Sequence, residues 1–339
     1  MTAIDSIAVV GAGAWGTALA INAARAGRKV VLWGRDRAAI GAMAAGRENA
    51  RYLPGIALDP AIRVTADLAE TAGADAILLV VPAQTVGEVA GALSKGGQPL
   101  AVCAKGLERS SDRRLSEVVR EAAPGRPVAA LSGPNFAREV ALGLPAAATL
   151  ACADEDVGRT LAACMSHEKF RLYWTDDVIG VEIGGAVKNV LAIAAGIVAG
   201  RELGENAKAA LITRGLAELM RLGEALGARR ETLVGLAGLG DLTLTAGSPT
   251  SRNMAFGMKI GAGADPVRLQ QQPGALVEGV ATASAVIRLA QGHAGARRPC
   301  PLPVCEAVAA ILAGELEVDQ AMEALMTRPL RAEIGRDGV

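Results

Sequence analysis

Lys188 lies near the middle of residues 180–200, GVEIGGAVKNVLAIAAGIVAG, where almost every neighbour is small or apolar. An ammonium group held there is poorly hydrated, which costs free energy and draws a free lysine pKa of about 10.4 down towards roughly 7 to 8, where the group can both give and take a proton. The ordinary use of such a lysine is to lay its stem across an apolar face and put its charge in water. Gly184 and Gly185 point elsewhere, because paired glycines let another backbone or a cofactor approach this turn. Few other side chains compete for the role of proton donor: the two histidines, His167 and His293, are far apart and sit in no glycine-rich or ligand-spaced motif, which also leaves little to build a zinc site from.

An apolar run at 4–10 breaks at Gly11 and is followed by an Ala-rich helical pattern over about 15–26, with Gly11, Ala12, Gly13, Ala14, Trp15 and Gly16 between them as a GxGxxG. In a strand–turn–helix setting the first glycine makes the tight turn, the second lets the backbone approach a pyrophosphate, and the third packs helix on strand, with the helix N-terminus facing the phosphates. A bare GxGxxG is weak in a chain with 41 glycines, but its place at the start and the second strand at 29–33 supply the context. That strand ends Trp33-Gly34-Arg35-Asp36. Arginine suits the 2′-phosphate of NADP and an acidic residue suits the ribose of NAD; Arg35 comes first, which favours NADP, while Asp36 keeps NAD open.

Further apolar runs at 76–82, 99–105 and 128–132, separated by helix-length stretches, predict parallel strands buried on both faces. The crevice beyond their carboxyl ends would hold Pro82, Lys105, Gly106 and the turn 132–137. Lys105 there is either an anion contact or a solvated loop lysine. Two more strand-like runs, 146–153 and 169–174, precede a change to helical character from 177 onward, with a strong helical pattern at 207–226. A glycine-rich break at 238–245 carries Asp241, whose commoner use would be a helix cap. Ser251, Arg252 and Asn253 open another helix, and Arg252 could bind a phosphate or a carboxylate equally well. Residues 266–274 read as a polar loop, and 303–327 as a final helical pair. The fold class is therefore an α/β Rossmann-type N-terminal domain with a mostly parallel sheet, residues 1–176, followed by an all-α C-terminal domain, residues 177–339. No Pro- or Ser-rich linker separates them, so an extensive shared interface is expected.

Lys+Arg and Asp+Glu balance at 35 each, so no net field recruits nucleic acid or an anionic membrane, and any anion binding must be local. The five cysteines form no CxxC and no even framework, which fits a reducing cytoplasm. Residues 180–200 could span a membrane by length, but Glu182, Lys188 and Asn189 interrupt them, and they read as a core helix. No leader-like start is expected.

Together these motifs resemble the bacterial NAD(P)-dependent glycerol-3-phosphate dehydrogenases. GAGAWGTALA (11–20), LWGRD (32–36), AKGLE (104–108), SGPNFAREV (132–140), GGAVKNVLAI (184–193), NAKAALITRGLAE (206–218), GLGDLTLT (238–245), SRN (251–253) and VEG (277–279) carry the resemblance, in family order along nearly the whole chain. It implies reduction of dihydroxyacetone phosphate to sn-glycerol 3-phosphate, or the reverse, for glycerophospholipid synthesis, by an enzyme of the cytoplasm that could be a homodimer. It maps Lys188 onto the general acid/base and Asp241 onto its partner. Lys105, Gly133, Asn135, Ser251, Arg252 and Asn253 map with them onto the substrate pocket. Trp15, Arg35, Lys105, Ala137, Arg252, Leu276 and Glu278 map onto the cofactor site, beside Gly11, Gly13, Ala14 and Gly16. Position 135 is usually Ser or Thr in that family; asparagine can still donate a hydrogen bond, with a longer reach. Residues 246–250 also depart from the pattern, ahead of an intact SRN. On this reading Gly184 and Gly185 give clearance to the substrate or to the nicotinamide, and Asp241 pushes the Lys188 pKa up while burial pushes it down. Two other readings compete: a related two-domain dehydrogenase of hydroxy acids or sugar acids, and a nonenzymatic NADPH-binding regulator. Lys188, Asp241 and Arg252 standing together argue against the regulator, and SRN with GLGDLTLT against the other dehydrogenase.

The reading of Arg35 has a direct test. Arg35→Ala is expected to weaken NADPH more than NADH in a fluorescence titration; equal losses for both would show that Arg35 does not read the 2′-phosphate.

Overall fold

The computed structural model describes residues 4–272, 277–292 and 300–328. Its first part holds β1 (Ser6–Val10), β2 (Lys29–Trp33), β3 (Ile62–Thr65), β4 (Ala76–Leu79), β5 (Leu100–Val102), β6 (Val128–Ser132), β7 (Ala146–Cys152) and β8 (Phe170–Thr175). They form one sheet in the order β3-β2-β1-β4-β5-β6-β7-β8, parallel throughout except where β7 runs against β6. Helices α1 (Ala14–Arg25), α2 (Arg37–Gly46), α3 (Val86–Ala92), α4 (Leu115–Ala122), α5 (Ala137–Leu142) and α6 (Glu155–Met165) complete this part. Alternate residues of β1 enter different cores, Ile7 and Val9 one and Ala8 and Val10 the other. Burial on both faces is why the central strands read as unbroken apolar runs. With β1 lying between β2 and β4, the connections diverge there and leave a crevice at the carboxyl ends.

The remaining described elements are helical: α7 (Val178–Gly200), α8 (Gly204–Leu226), α9 (Arg230–Leu233), a π-helical turn (Leu236–Gly240), α10 (Asp241–Gly247), α11 (Arg252–Gly261), α12 (Pro266–Gln270), α13 (Glu278–Ala290), α14 (Pro303–Ala313) and α15 (Val318–Met326). The spine is α7. Asp177 caps it by accepting a hydrogen bond from the Gly180 amide at 2.8 Å. It is apolar all round and accordingly sits inside, packed by α8, α10, α11, α13 and α14. By length and composition it could cross a membrane, yet 89% of its apolar window is buried within the molecule. Its one carboxylate, Glu182, accepts from the Ser116 amide at 2.7 Å and the Ser116 hydroxyl at 2.6 Å at the start of α4. Burial raises the pKa of Glu182, and Ser116 and Arg114 offset part of that effect.

Residues 76–82 and 99–105 leave the sheet earlier than their apolar runs suggest, at Leu79 and Val102, and β3 adds a strand at the edge that those runs did not reveal. The predicted polar loop at 266–274 is corrected over its described part. There Asp265 caps α12 by accepting from the amides of Val267 and Arg268, and Pro266 occupies the first turn, where its missing N–H costs nothing.

The tightest helix contact is between α7 and α11. A Cβ on Gly196 would lie 2.1 Å from the Met254 carbonyl oxygen, and one on Gly257 would lie 2.1 Å from that of Ile193; Gly200 and Gly261 are similarly crowded. Backbone rests on backbone, with no flexible side chain to yield. Helix propensity alone would favour Gly257→Ala by about 1 kcal/mol, but the collision decides the sign. We expect a net loss of about 3 kcal/mol in urea unfolding, at the upper end of overpacking effects; unchanged stability would show that α11 can retreat from α7.

Candidate active site

Four segments converge where the strand ends meet α7: the loop after β5, the turn after β6, the middle of α7, and the π-helical turn leading into α10. Asp241 is at their centre and is 1% exposed. One of its carboxylate oxygens lies 2.9 Å from Lys188 Nζ and accepts from the Thr245 hydroxyl at 3.1 Å. The other is paired with the Lys105 ammonium and lies 3.5 Å from the Ser132 hydroxyl. Thr245 in turn accepts from Lys188 Nζ at 2.8 Å. Its place four residues after Asp241, a spacing visible in GLGDLTLT, puts both side chains on one face of α10 and gives Thr245 a role beside the two lysine partners of Asp241. Asp241 thus follows a glycine at a helix start, as a cap would, but its carboxylate is spent on two ammonium groups.

Lys188 is 6% exposed. Burial lowers its pKa, nearby Lys105 lowers it further, and Asp241 and Glu278 raise it; burial prevails and the group settles at about 8. Burial alone would raise the Asp241 carboxyl, but Lys105 and Lys188 outweigh it and hold it below the usual carboxylate range. The pair is therefore a carboxylate facing a lysine that titrates near neutrality.

Gly184 and Gly185 serve the chain itself. A Cβ on Gly184 would lie 2.7 Å from the Ala237 carbonyl oxygen, and one on Gly185 would lie 2.7 Å from the Ser132 hydroxyl. The clearance expected for substrate or nicotinamide is taken by the π-helical turn and by β6. What comes close to α7 is the segment that delivers Asp241.

Lys105 is neither solvated nor an isolated anion contact, since besides Asp241 it donates to the Gly133 carbonyl at 3.1 Å. Gly133 (φ +153) lies against β7, where a Cβ would be 2.8 Å from Ala148 Cα. Asn135 donates from Nδ2 to the Ala147 carbonyl at 3.1 Å, which fixes its amide, and its Oδ1 is buried with no partner. Ala137 begins α5 just beyond. Ser251 caps α11, accepting from the Met254 amide at 3.4 Å. Asn253 is committed within the chain: it donates to Asn189 Oδ1 at 2.9 Å and accepts from the Gly279 amide at 2.9 Å. Asn189 reaches Glu278 at 3.4 Å, and Glu278 lies 3.9 Å from Arg252, whose side chain is 67% exposed. Leu276 lies outside the described residues.

The turn after β1 fits a dinucleotide. At Gly11 (φ +128) a Cβ would meet the Val80 carbonyl oxygen at 2.5 Å, and at Gly16 the Gly11 carbonyl oxygen at 1.8 Å, whereas at Gly13 nothing lies within 4 Å. Two glycines are demanded by the fold and the middle one faces open space, which is what close approach of a pyrophosphate needs. No side chain caps α1, so the amides at Ala14 and Trp15 start a helix that is open to an anion. At the end of β2, Arg35 is exposed, while Asp36 is engaged as the cap of α2, accepting from Ala39 N at 3.1 Å.

Comparison with known proteins gives a consistent picture. Family models described as NAD-dependent glycerol-3-phosphate dehydrogenase N-terminus and C-terminus match residues 6–158 and 177–323. A protein of Azorhizobium caulinodans named glycerol-3-phosphate dehydrogenase [NAD(P)+] is 57% identical over 337 residues, covering 98% of this chain and 100% of the relative. One of the same name from Caulobacter vibrioides is 52% identical over 332 residues, covering 97% and 99%. The crystal structure of glycerol-3-phosphate dehydrogenase from Coxiella burnetii superposes with a TM-score of 0.89 at 41% identity, over 96% of this chain and 99% of that one. A ketopantoate reductase structure from Ralstonia eutropha, TM-score 0.60 at 16% identity, shares the fold.

Proposed function

The chain belongs to the NAD-dependent glycerol-3-phosphate dehydrogenase family, and from that premise we propose that Lys188 is the general acid/base of the reaction, with Asp241 as its partner. The enzyme is an NAD(P)-dependent oxidoreductase that interconverts dihydroxyacetone phosphate and sn-glycerol 3-phosphate, the backbone of glycerophospholipids. The competing readings, another hydroxy-acid or sugar-acid dehydrogenase and a nonenzymatic regulator, are not favoured.

The observation that carries the assignment is a lysine 6% exposed with a pKa of about 8, 2.9 Å from a buried carboxylate where the sheet ends meet α7. When bound, the nicotinamide supplies hydride to the carbonyl carbon or accepts it back. As the carbonyl oxygen gains negative charge, Lys188 Nζ donates a proton to it, and in oxidation the neutral amine takes the hydroxyl proton. Asp241 and Thr245 orient the ammonium, and Lys105 places a second positive charge beside the developing oxyanion. Exposed Arg252 at the start of α11 receives the phosphate, with Ser251 capping that helix and Asn253 tying it to Asn189 and Gly279 so that the guanidinium is held in place. Gly133 and Asn135 line the opposite end of the substrate. Gly11, Gly13, Ala14, Trp15 and Gly16 cradle the cofactor pyrophosphate, and Lys105, Ala137, Arg252 and Glu278 border the rest of the cofactor. Exposed Arg35 beside an engaged Asp36 supports a preference for NADPH. We further take 1–176 as the dinucleotide-binding domain and 177–339 as the substrate domain, the enzyme as cytoplasmic, and a homodimer as its assembly, to be measured by sedimentation.

NADPH oxidation with dihydroxyacetone phosphate, repeated with NADH and with a panel of keto acids, tests substrate and cofactor together. In that assay Lys188→Ala is expected to lose at least about a hundredfold in kcat, the usual share of a general acid, with little change in cofactor affinity; near-normal turnover would sink the assignment.

The pH dependence has a defined sign. Oxidation needs neutral Lys188, so kcat/KM for glycerol 3-phosphate should rise with pH through about 8, and reduction, which needs the ammonium, should fall through the same point. Profiles flat between pH 7 and pH 9 would assign the proton to another group.

A further inference from the structure

Lys105 is delivered by residues 103–114, a segment that starts at the end of β5 and is held by the helical part of the chain. Two residues after Lys105, Leu107 is 1% exposed and lies in the core formed by α7, α8, α13 and α14 rather than in either core of the sheet. From Leu107 to Arg114 the segment closes on itself: Leu107 and Arg114 form an antiparallel bridge, Glu108 N donates to Arg113 O at 3.0 Å, and Asp112 N donates to Glu108 O at 2.8 Å. Gln84 holds it from the sheet side, donating to the Leu107 carbonyl at 2.9 Å and accepting from the Arg109 amide at 2.9 Å.

From the helical side the hold is ionic. Arg288 of α13 donates from Nε and Nη2 to the two oxygens of Asp112 at 2.8 and 2.6 Å, with the carboxylate side chain only 11% exposed. Fork-to-fork pairing of this kind is strong and directional, and Asp112 adopts φ +57 to make it, a conformation that L residues other than Asn and Asp seldom take. The same helix reaches the site at its other end. Glu278 begins it, Thr282 stands 3.2 Å from where a Cβ of Gly106 would be, and Arg288 follows six residues later. Ten residues of helix, about 15 Å, therefore link the cofactor-side carboxylate, the residue next to Lys105 and the ion pair.

We infer that the Asp112–Arg288 pair positions Lys105: by fixing the 107–114 loop to α13 it keeps the Lys105 ammonium on Asp241 and so decides how much of that carboxylate is left to Lys188. The inference rests on the assignment of Lys188 and Asp241 made above. Neither Asp112 nor Arg288 touches a reacting atom, so both are positioning residues. The charged groups around the two ammonium groups are Asp241 on α10, Glu278 on α13 and Glu182 on α7, the last lining a cavity of about one water volume with Lys105 and Ser132. With Lys105 released, Lys188 loses a repelling neighbour and gains a larger share of Asp241, so its affinity for a proton rises.

Asp112→Asn is the cleanest variant, since asparagine tolerates the left-handed backbone and removes only the charge; Arg288→Met removes the partner. Each is expected to lower kcat/KM for dihydroxyacetone phosphate by about ten- to a hundredfold, the scale of a small misplacement of a catalytic group. The pH midpoint of glycerol 3-phosphate oxidation should move upward from about 8. The double variant should lose no more than the worse single one, because the two side chains act as one unit. Wild-type kcat/KM with an unmoved midpoint in both single variants would overturn the inference. So would an activity loss that follows thermal stability while the midpoint stays fixed, as a merely structural pair would give. Lys188→Ala run in parallel separates the levels: if it keeps its turnover the underlying assignment fails, and if it is inactive while Asp112→Asn and Arg288→Met behave as wild type, only the positioning role fails.

Discussion

The site depends on a single buried carboxylate serving two ammonium groups. Burial works against the charged form of Asp241, 1% exposed, and of Lys188, 6% exposed, and the pairing opposes that effect on both. Neither lysine has the carboxylate to itself. Burial is the largest effect lowering the Lys188 pKa, Asp241 opposes it, and Lys105 on the second oxygen adds to the lowering. The outcome near 8 is a balance among opposing effects, and it exists only while three separate segments of chain stay in register.

Register is supplied by close backbone packing. Gly184 brings α7 against the π-helical turn before Asp241, Gly185 admits β6 with Ser132, and Gly238 within the turn has no room for a side chain, since a Cβ would lie 1.9 Å from the Leu233 carbonyl oxygen. Because interiors of this kind are close-packed, the chemistry of one lysine is tied to glycines that never meet a substrate. The same holds for Glu182, the one carboxylate on α7, which is satisfied by Ser116 and ties the helix to the sheet side of the molecule.

Much of this was legible in the sequence where a local pattern has one physical cause. Strands buried on both faces are unbroken apolar runs, so β6 is found at the expected residues, and β2, half-buried on one face, still carries enough apolar residues to be found at 29–33. The edge strand β3, IRVT, has exposed Arg63 between its apolar residues and gives no such run. Proline at the first turn of α12 looks the same in sequence as proline in a loop, and only the Asp265 cap tells them apart. In the site, crowding by small residues signalled the burial of Lys188, and the family strings pointed to Asp241. What stayed hidden was anything settled by distant partners: the occupants of the space beside Gly184 and Gly185, the Thr245 hydroxyl between Lys188 and Asp241, and the Asp112–Arg288 pair, 176 residues apart in the chain.

The glycine-to-glycine crossing of α7 and α11 bears on how this protein could change. With Gly196 and Gly200 seated on the backbone of α11, and Gly257 and Gly261 on that of α7, the two helices have no compressible layer between them. The position of α11, and with it of residues 251–253 at its start, is thus set against the backbone of α7 by main-chain contact. Side-chain substitutions elsewhere leave that spacing of the two helices untouched, because no side chain lies in the crossing. A lineage in which α11 moved relative to α7 would have to rebuild the crossing itself, glycine by glycine.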